Sequence, residues 1–216
     1  MHNTVKNLIY IEELIKSKEN HDKLTRIIAV SKTFPIENVL PLIDYGHLHY
    51  GENKVQEALE KWTDVKNVNH NIQLHLIGRL QTNKVKFALK IFDYIHSLDS
   101  EKLANKIADE QQKHKKKPKI FIQVNMGNED QKSGIDKRNL NDFYKFCKNL
   151  NLDIIGTMCI PPNDGNTEKY FSEMSDINKE LNFKELSMGM SGDYLEAIRY
   201  NATYVRVGSK IFGSRT

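Results

Sequence analysis

RIIAVSKTFPIENVLPLIDYGHLHYGENKVQEALEKW, residues 26–62, holds two strand-and-helix units in one stretch. Residues 26–31 are an apolar run with the look of a buried strand. Residues 36–45 read as a helix entered by Pro35 and closed by Gly46, with Pro41 an awkward guest inside it. A short strand at 47–50 and a helix at 54–65 follow. Strands that alternate with helices in this way pair in parallel, because each helix carries the chain back to the same edge of the sheet.

The alternation continues along the chain. Further strands are predicted at 72–77, 94–97, 119–125, 153–158, 185–187 and 203–207. Further helices are predicted at 83–90, 100–113, 140–150, 168–181 and 193–200, with a short closing segment at 210–212. Asp99 or Ser100 caps the helix at 100–113, and Pro161-Pro162 stops the strand at 153–158. An amphipathic helix at 5–16, with Val5, Leu8, Ile11 and Ile15 on one stripe, leads the chain. Eight strands, each followed by a helix, predict a single (β/α)8 TIM barrel with an extra N-terminal helix. No Ser/Gly/Pro-rich linker divides residues 1–216, so one domain is expected. The longest loop candidates, 126–138 and 161–167, fall where a strand hands over to a helix, on the rim where barrels carry their chemistry.

Composition narrows the setting. Of 216 residues, 39% are hydrophobic and 28% charged, which excludes collagen-like, low-complexity and wholly disordered classes. Apolar stretches such as 27–30 and 74–77 are far too short to cross a bilayer, and the first residues lack the pattern of a secretion signal. Two cysteines, Cys147 and Cys159, supply neither a disulfide framework nor a four-ligand zinc site, so a reducing cytoplasm is expected. The net charge of +4 rests on Lys more than Arg, which argues against base and phosphate reading in nucleic acid. The densest basic run, 113–119, fits cations at a helix C-terminus. A monomer is expected, and edge and surface positions show no clear apolar stripe from which an oligomeric state could be read.

The strand ends hold the candidate chemistry. Lys32 ends the run Ile27-Ile28-Ala29-Val30-Ser31, so its stem should rise from a hydrophobic strand into the barrel mouth. Partial desolvation there favours a neutral amine, which can attack an aldehyde to form a Schiff base. Ser187-Met188-Gly189-Met190-Ser191-Gly192-Asp193 and Val205-Arg206-Val207-Gly208-Ser209-Lys210 each lead from a late strand to a helix start. Paired glycine-rich turns with hydroxyls at Ser191 and Ser209 suit a phosphate, since backbone N–H groups there lack helical partners. Arg206 lies on the strand itself, aimed at the mouth, where it can hydrogen-bond a ring nitrogen. Lysine, phosphate cup and strand arginine together describe a pyridoxal phosphate site.

Six ordered blocks make that reading specific. Ala29-Val30-Ser31-Lys32-Thr33, Tyr50-Gly51-Glu52-Asn53-Lys54-Val55-Gln56-Glu57 and His75-Leu76-Ile77-Gly78-Arg79-Leu80-Gln81-Thr82-Asn83-Lys84 are the first three. Lys132-Ser133-Gly134-Ile135, Ser187-Met188-Gly189-Met190-Ser191 and the block from Val205 to Gly213 complete the set. The chain thereby resembles the YggS/PROSC family of pyridoxal phosphate homeostasis proteins, similar to the N-terminal barrel of alanine racemase. The resemblance implies a Schiff base on Lys32, phosphate held by Ser191, Gly208 and Ser209, and Arg206 facing the pyridine nitrogen. It also places Asn53 and His75 near the cofactor, while Lys132 stays outside the core site. Two departures stand out: Gly192-Asp193 where the family often has Asp-Asp, and Phe34 where many members carry a charge.

Other candidates carry less. His47 and His49 alternate on one strand without a third ligand for a metal. Cys147 reads as a small core residue, Cys159 as a possible thiol at a strand end, and Glu52 with Asp193 as an acid/base pair of unfixed separation. Aromatic residues form no stacking platform for single-stranded nucleic acid. Alanine racemase takes a tyrosine from its partner's second domain, and here the last barrel motif lies close to Thr216. The expectation is therefore a protein that holds, buffers or delivers pyridoxal phosphate, with possible transfer to apo-enzymes and no evident catalysis. A racemase-type enzyme, a lysine Schiff-base aldolase and an RNA-binding or scaffolding role for 113–119 are the alternatives.

Overall fold

The computed structural model describes residues 1–18, 24–127 and 133–214. Its frame is a closed parallel barrel. The strands are β1 (Arg26–Val30), β2 (His49–Glu52), β3 (Gln73–Leu76), β4 (Tyr94–Leu98), β5 (Lys119–Asn125), β7 (Asp153–Met158), β8 (Glu185–Met190) and β9 (Tyr204–Val207). They run in the order β4-β3-β2-β1-β9-β8-β7-β5, and pairing of β4 with β5 closes the ring. A two-residue strand, β6 (Ile135–Asp136), pairs with the end of β5 outside that ring. The sequence gives no sign of it, because two residues become a strand only when a neighbour supplies the hydrogen bonds.

A helix follows each barrel strand: α2 (Leu40–Asp44), α3 (Val55–Val68), α4 (Val85–Ile91), α5 (Glu101–His114), α6 (Leu140–Asn149), α7 (Thr167–Glu180), α8 (Tyr194–Arg199) and α9 (Ser209–Phe212). The leading helix α1 (Asn3–Lys16) buries Leu8, Ile11 and Ile15, and Asn7 Nδ2 donates to the Ile211 carbonyl of α9 at 3.0 Å. The fold is the (β/α)8 barrel with an extra N-terminal helix.

Boundaries moved where local chemistry decides them. The helix predicted over 36–45 divides into a 3-10 turn at Ile36–Asn38 and α2, so that Pro41 falls in the first turn of α2, where its missing N–H costs nothing. The second strand starts at His49 rather than His47, and β8 runs three residues further than predicted, to Met190. Ser100 is the cap of α5, its side chain accepting from the Leu103 N–H at 3.4 Å. Within the 113–119 run, Lys113 pairs with Glu110, Lys116 approaches Asp93, and Lys117 donates to Asn151, so its cations are engaged locally.

Apolar side chains form two separate clusters. The large one, including Ile27, Ala29, Trp62, Leu74 and Ile95, lies between the sheet and its helices. The small one, Ile28, Val30, Tyr94, Phe121, Met158 and Tyr204, fills the barrel. Alternate residues of β1 therefore face opposite ways, as the strand repeat requires. Ile28 and Val30 point inward, and Lys32 continues their phase at the mouth.

Candidate functional site

Lys32 follows β1 in a tight turn. The Phe34 N–H donates to the Ser31 carbonyl at 3.1 Å, and Thr33 has φ 70°, which is uncommon for a β-branched residue. Beneath the turn, Lys61 Nζ donates to the carbonyls of Ser31 (2.8 Å) and Phe34 (2.9 Å). The same ammonium pairs with Glu52 Oε1 at 2.6 Å, which also accepts from Ser31 Oγ at 2.7 Å and Trp62 Nε1 at 3.0 Å. Glu52 is fully buried in this cluster, while Asp193 Oδ1 accepts from the Met190 N–H at 2.6 Å. The two carboxylates are thus committed to separate structural tasks and form no acid/base pair.

A cavity of about 190 Å³ opens at the mouth, lined by Lys32, Asn53, Ser191, Arg206, Gly208 and Ser209 together with Val30, Ile77, Ile160 and Met190. The structure so brings together six of the seven residues singled out from the sequence. Asn53 is held by close approach of the next turn: a Cβ on Gly78 would lie 2.3 Å from the Asn53 carbonyl oxygen, so only glycine fits at position 78. Gly189, at φ +87°, lets the Ser191 turn close over α8, where a Cβ would come within 2.6 Å of Ala197 Cβ. The Gly208 N–H donates to Ser191 Oγ at 3.1 Å and joins the two glycine-rich turns.

His75 is the exception. It is fully buried inside the barrel, below the cavity and outside its lining. Its Nδ1 meets His96 Nε2 at 2.9 Å, and its Nε2 meets His49 Nδ1 at 2.9 Å. Burial holds His75 and His96 well below the usual histidine range, and drives His47 and His49 down to about 4. Lys132 lies outside the described residues.

Arg206 is 4% exposed and reaches the cavity from β9. Its Nη1 donates to Ser187 Oγ at 2.7 Å and its Nη2 to the Cys159 carbonyl at 2.9 Å. Burial lowers its affinity for the proton, opposed by the fields of Cys159 and Asp193. The partners of the arginine side chain are thus a hydroxyl and a carbonyl. His96 was not singled out in the sequence, and Ser187 only as the first residue of a block. Their signal was a polar residue in the inward phase of an otherwise buried strand.

The Cys159 thiol is pushed up to about 12 by burial, which removes it as a reactive thiolate. Cys147 is buried in the outer core, as its helix position implied. Among the described residues no group of three or more His, Cys, Asp or Glu side chains is arranged to hold a metal.

The cavity's chemistry is that of a small aromatic phosphate. Apolar walls from Val30, Ile77, Ile160 and Met190 suit a flat ring, hydroxyl and backbone donors suit the phosphate, and an amine following β1 and a guanidinium from the neighbouring strand β9 complete the lining. A family model described as alanine racemase, N-terminal domain, matches residues 11–216. The pyridoxal phosphate homeostasis protein of Pasteurella multocida is 36% identical over 95% of this chain and 93% of its own. PipY of Synechococcus elongatus, solved with PLP bound, superposes with a TM-score of 0.87 at 31% identity, over 97% of this chain and 100% of that one. Alanine racemase of Clostridium difficile shares the fold at 16% identity and TM-score 0.75, with 99% of this chain matching 57% of the enzyme.

Proposed function

Because the chain belongs to the alanine racemase N-terminal domain family, among its pyridoxal phosphate homeostasis proteins, we propose that it binds pyridoxal 5'-phosphate in the barrel mouth and serves intracellular vitamin B6 homeostasis. The observation that carries this reading is the single cavity that gathers Lys32, Asn53, Ser191, Arg206, Gly208 and Ser209. When bound, the cofactor supplies an electrophilic aldehyde. Lys32 would present its amine to that aldehyde as the covalent anchor. Ser191 and the backbone N–H groups around Gly208 and Ser209 would hold the phosphate, and Asn53 would border the ring. Arg206, a permanent donor, would offer a hydrogen bond to the pyridine nitrogen and so disfavour its protonation.

The absence of catalysis is part of the proposal. Among the described residues that line the cavity, Lys32 and Arg206 are the ionisable side chains. Racemisation needs a proton donor and an acceptor on opposite faces of the substrate, and Arg206 does not give up its proton. The protein would then hold the cofactor and release it to apo-enzymes, acting as a single barrel domain and as a monomer. Both cysteines are free and buried, which suits a reducing cytoplasm, and no helix among the described residues is long and apolar enough to cross a membrane.

One experiment tests the reading. Purified protein incubated with pyridoxal 5'-phosphate should turn yellow, lose that absorption on borohydride reduction, and carry pyridoxyl on Lys32 by mass spectrometry. Label on another lysine, or none, would refute it. Racemisation or α-proton exchange of D- and L-amino acids, abolished by Lys32→Ala, would favour the enzyme instead.

A further inference from the structure

Five polar side chains from five strands form one hydrogen-bonded line through the barrel. His49 of β2 meets His75 of β3, which meets His96 of β4, each contact 2.9 Å between ring nitrogens. His96 Nδ1 lies 2.9 Å from Ser187 Oγ of β8, and Arg206 of β9 donates to that same oxygen at 2.7 Å. The upper end lines the barrel mouth through Arg206. The lower end lines a second cavity, about 470 Å³, through His49 beside Arg26 and His47. Stacking fixes the rings: His75 lies on Tyr94 with centroids 4.1 Å apart, and His96 on Phe121 at 4.3 Å.

The proton positions follow from the donor count. A guanidinium only donates, so Ser187 Oγ accepts from Arg206. The remaining partner of the hydroxyl, His96 Nδ1, must then take its hydrogen. A neutral imidazole carries one N–H, so His96 donates from Nε2 to His75 Nδ1, and His75 donates from Nε2 to His49 Nδ1. The opposite order would give Ser187 Oγ two donors and leave its own hydrogen without an acceptor. A buried polar hydrogen without a partner is costly, about 1–3 kcal/mol.

This order aligns three ring dipoles with their negative ends toward Arg206. That matters because among the described residues no carboxylate forms an ion pair with Arg206, and a buried unpaired charge is strongly unfavourable. The charged groups around the line oppose a second cation within it. Positive fields reach the rings from Arg26, Lys66, Lys119 and Arg206. Glu185 is engaged by Arg26, the hydroxyls of Tyr94 and Tyr204 face each other, and His47 is itself buried.

We propose that Ser187, His96, His75 and His49 form a proton-ordered line that stands in for a counter-ion, positions Arg206, and couples the cofactor mouth to the cavity on the opposite face. The four are positioning residues that act through Arg206. The part that concerns the cofactor rests on the pyridoxal phosphate reading above; the proton order does not.

The test has two arms. In ligand-free protein carrying 15N-labelled histidine, His49, His75 and His96 should all be neutral Nε2–H tautomers at pH 7.5. In protein loaded with pyridoxal 5'-phosphate, the pH midpoint of the bound cofactor's absorption should fall by about one unit in Ser187→Ala, because the arginine's field is then less compensated. Ser187→Thr should restore the midpoint. His49→Gln, at the half-buried lower end, should shift it in the same direction by about half as much, and it keeps the test open if Ser187→Ala does not fold. Rings found as Nδ1–H or as mixtures, or a midpoint unmoved in His49→Gln, would overturn the proposal. A wild-type protein that never colours would refute the cofactor reading instead, and the tautomer measurement would still decide the line.

Discussion

The backbone N–H of Gly208 donates to Ser191 Oγ across 3.1 Å, so the turn after β8 and the turn after β9 are held as one unit. Ser191→Ala removes that tie and one hydroxyl from the cavity. Affinity for pyridoxal 5'-phosphate should drop about tenfold, the worth of one good hydrogen bond. Affinity for pyridoxal, which lacks the phosphate, should hardly change. Fluorescence titration with both ligands checks this, and equal losses for the two would contradict a phosphate role.

Lys32→Ala should abolish the yellow colour and the borohydride-stable mass addition. Lys32 is half-buried at the end of a turn whose support comes from Lys61 and Glu52, so the melting temperature should move by only a few degrees. Calorimetry alongside mass spectrometry separates the two effects.

Arg206→Ala should alter the spectrum of the bound cofactor more than the affinity for its phosphate. It also strips the Ser187 hydroxyl and the Cys159 carbonyl of a donor in a buried setting, and should cost roughly 2–4 kcal/mol of stability. Urea unfolding with and without ligand gives both numbers. A change confined to phosphate affinity would move the arginine to another part of the ligand.

Lys61→Met leaves Glu52 buried without its ion-pair partner and releases the carbonyls of Ser31 and Phe34. Destabilisation of about 3–5 kcal/mol is expected, by analogy with other broken buried pairs. Cofactor loading should slow as well, because the turn that presents Lys32 loses its brace. A stable variant with normal loading would show that the Glu52 cluster is not what fixes the lysine.

Acid should weaken the protein earlier than carboxylates alone predict. His47 and His49 titrate near 4 in the folded protein and near 6.5 when unfolded, and His75 and His96 are also lowered. Below pH 6.5 the unfolded chain takes up protons that the folded one refuses. Stability is therefore full above that pH and falls toward pH 4, by up to about 1.4 kcal/mol per pH unit for each histidine. Urea midpoints at pH 7.5, 6.0 and 5.0 measure the slope, and His49→Gln should reduce it by one proton's share.

The barrel was legible because its evidence is local. The strands at Lys119–Asn125 and Asp153–Met158 enclose apolar runs, and Ser100 marks a helix start by its own chemistry. The mouth was legible for a related reason: Lys32, Ser191, Arg206, Gly208 and Ser209 sit at strand ends that a closed barrel must bring together. The interior line was hidden. His75 meets His96 and His96 meets Ser187 only once β3, β4 and β8 stand around one closed barrel, and sequence separations of 21 and 91 residues carry no trace of those contacts. His75 was expected beside the cofactor, and it lies inside the barrel outside the lining of the mouth cavity.

The division of apolar side chains into a large outer cluster and a small inner one bears on how the protein tolerates change. Most of the driving force for folding comes from the seam between sheet and helices, where a truncated Trp62 or Leu74 would be felt by the whole ring. The bore is filled by six apolar residues and a string of polar ones, and contributes less. Related barrels could thus repaint the bore's polarity without redrawing the wall, and the pitch of the ligand's surroundings would vary from one to the next while the scaffold stays the same.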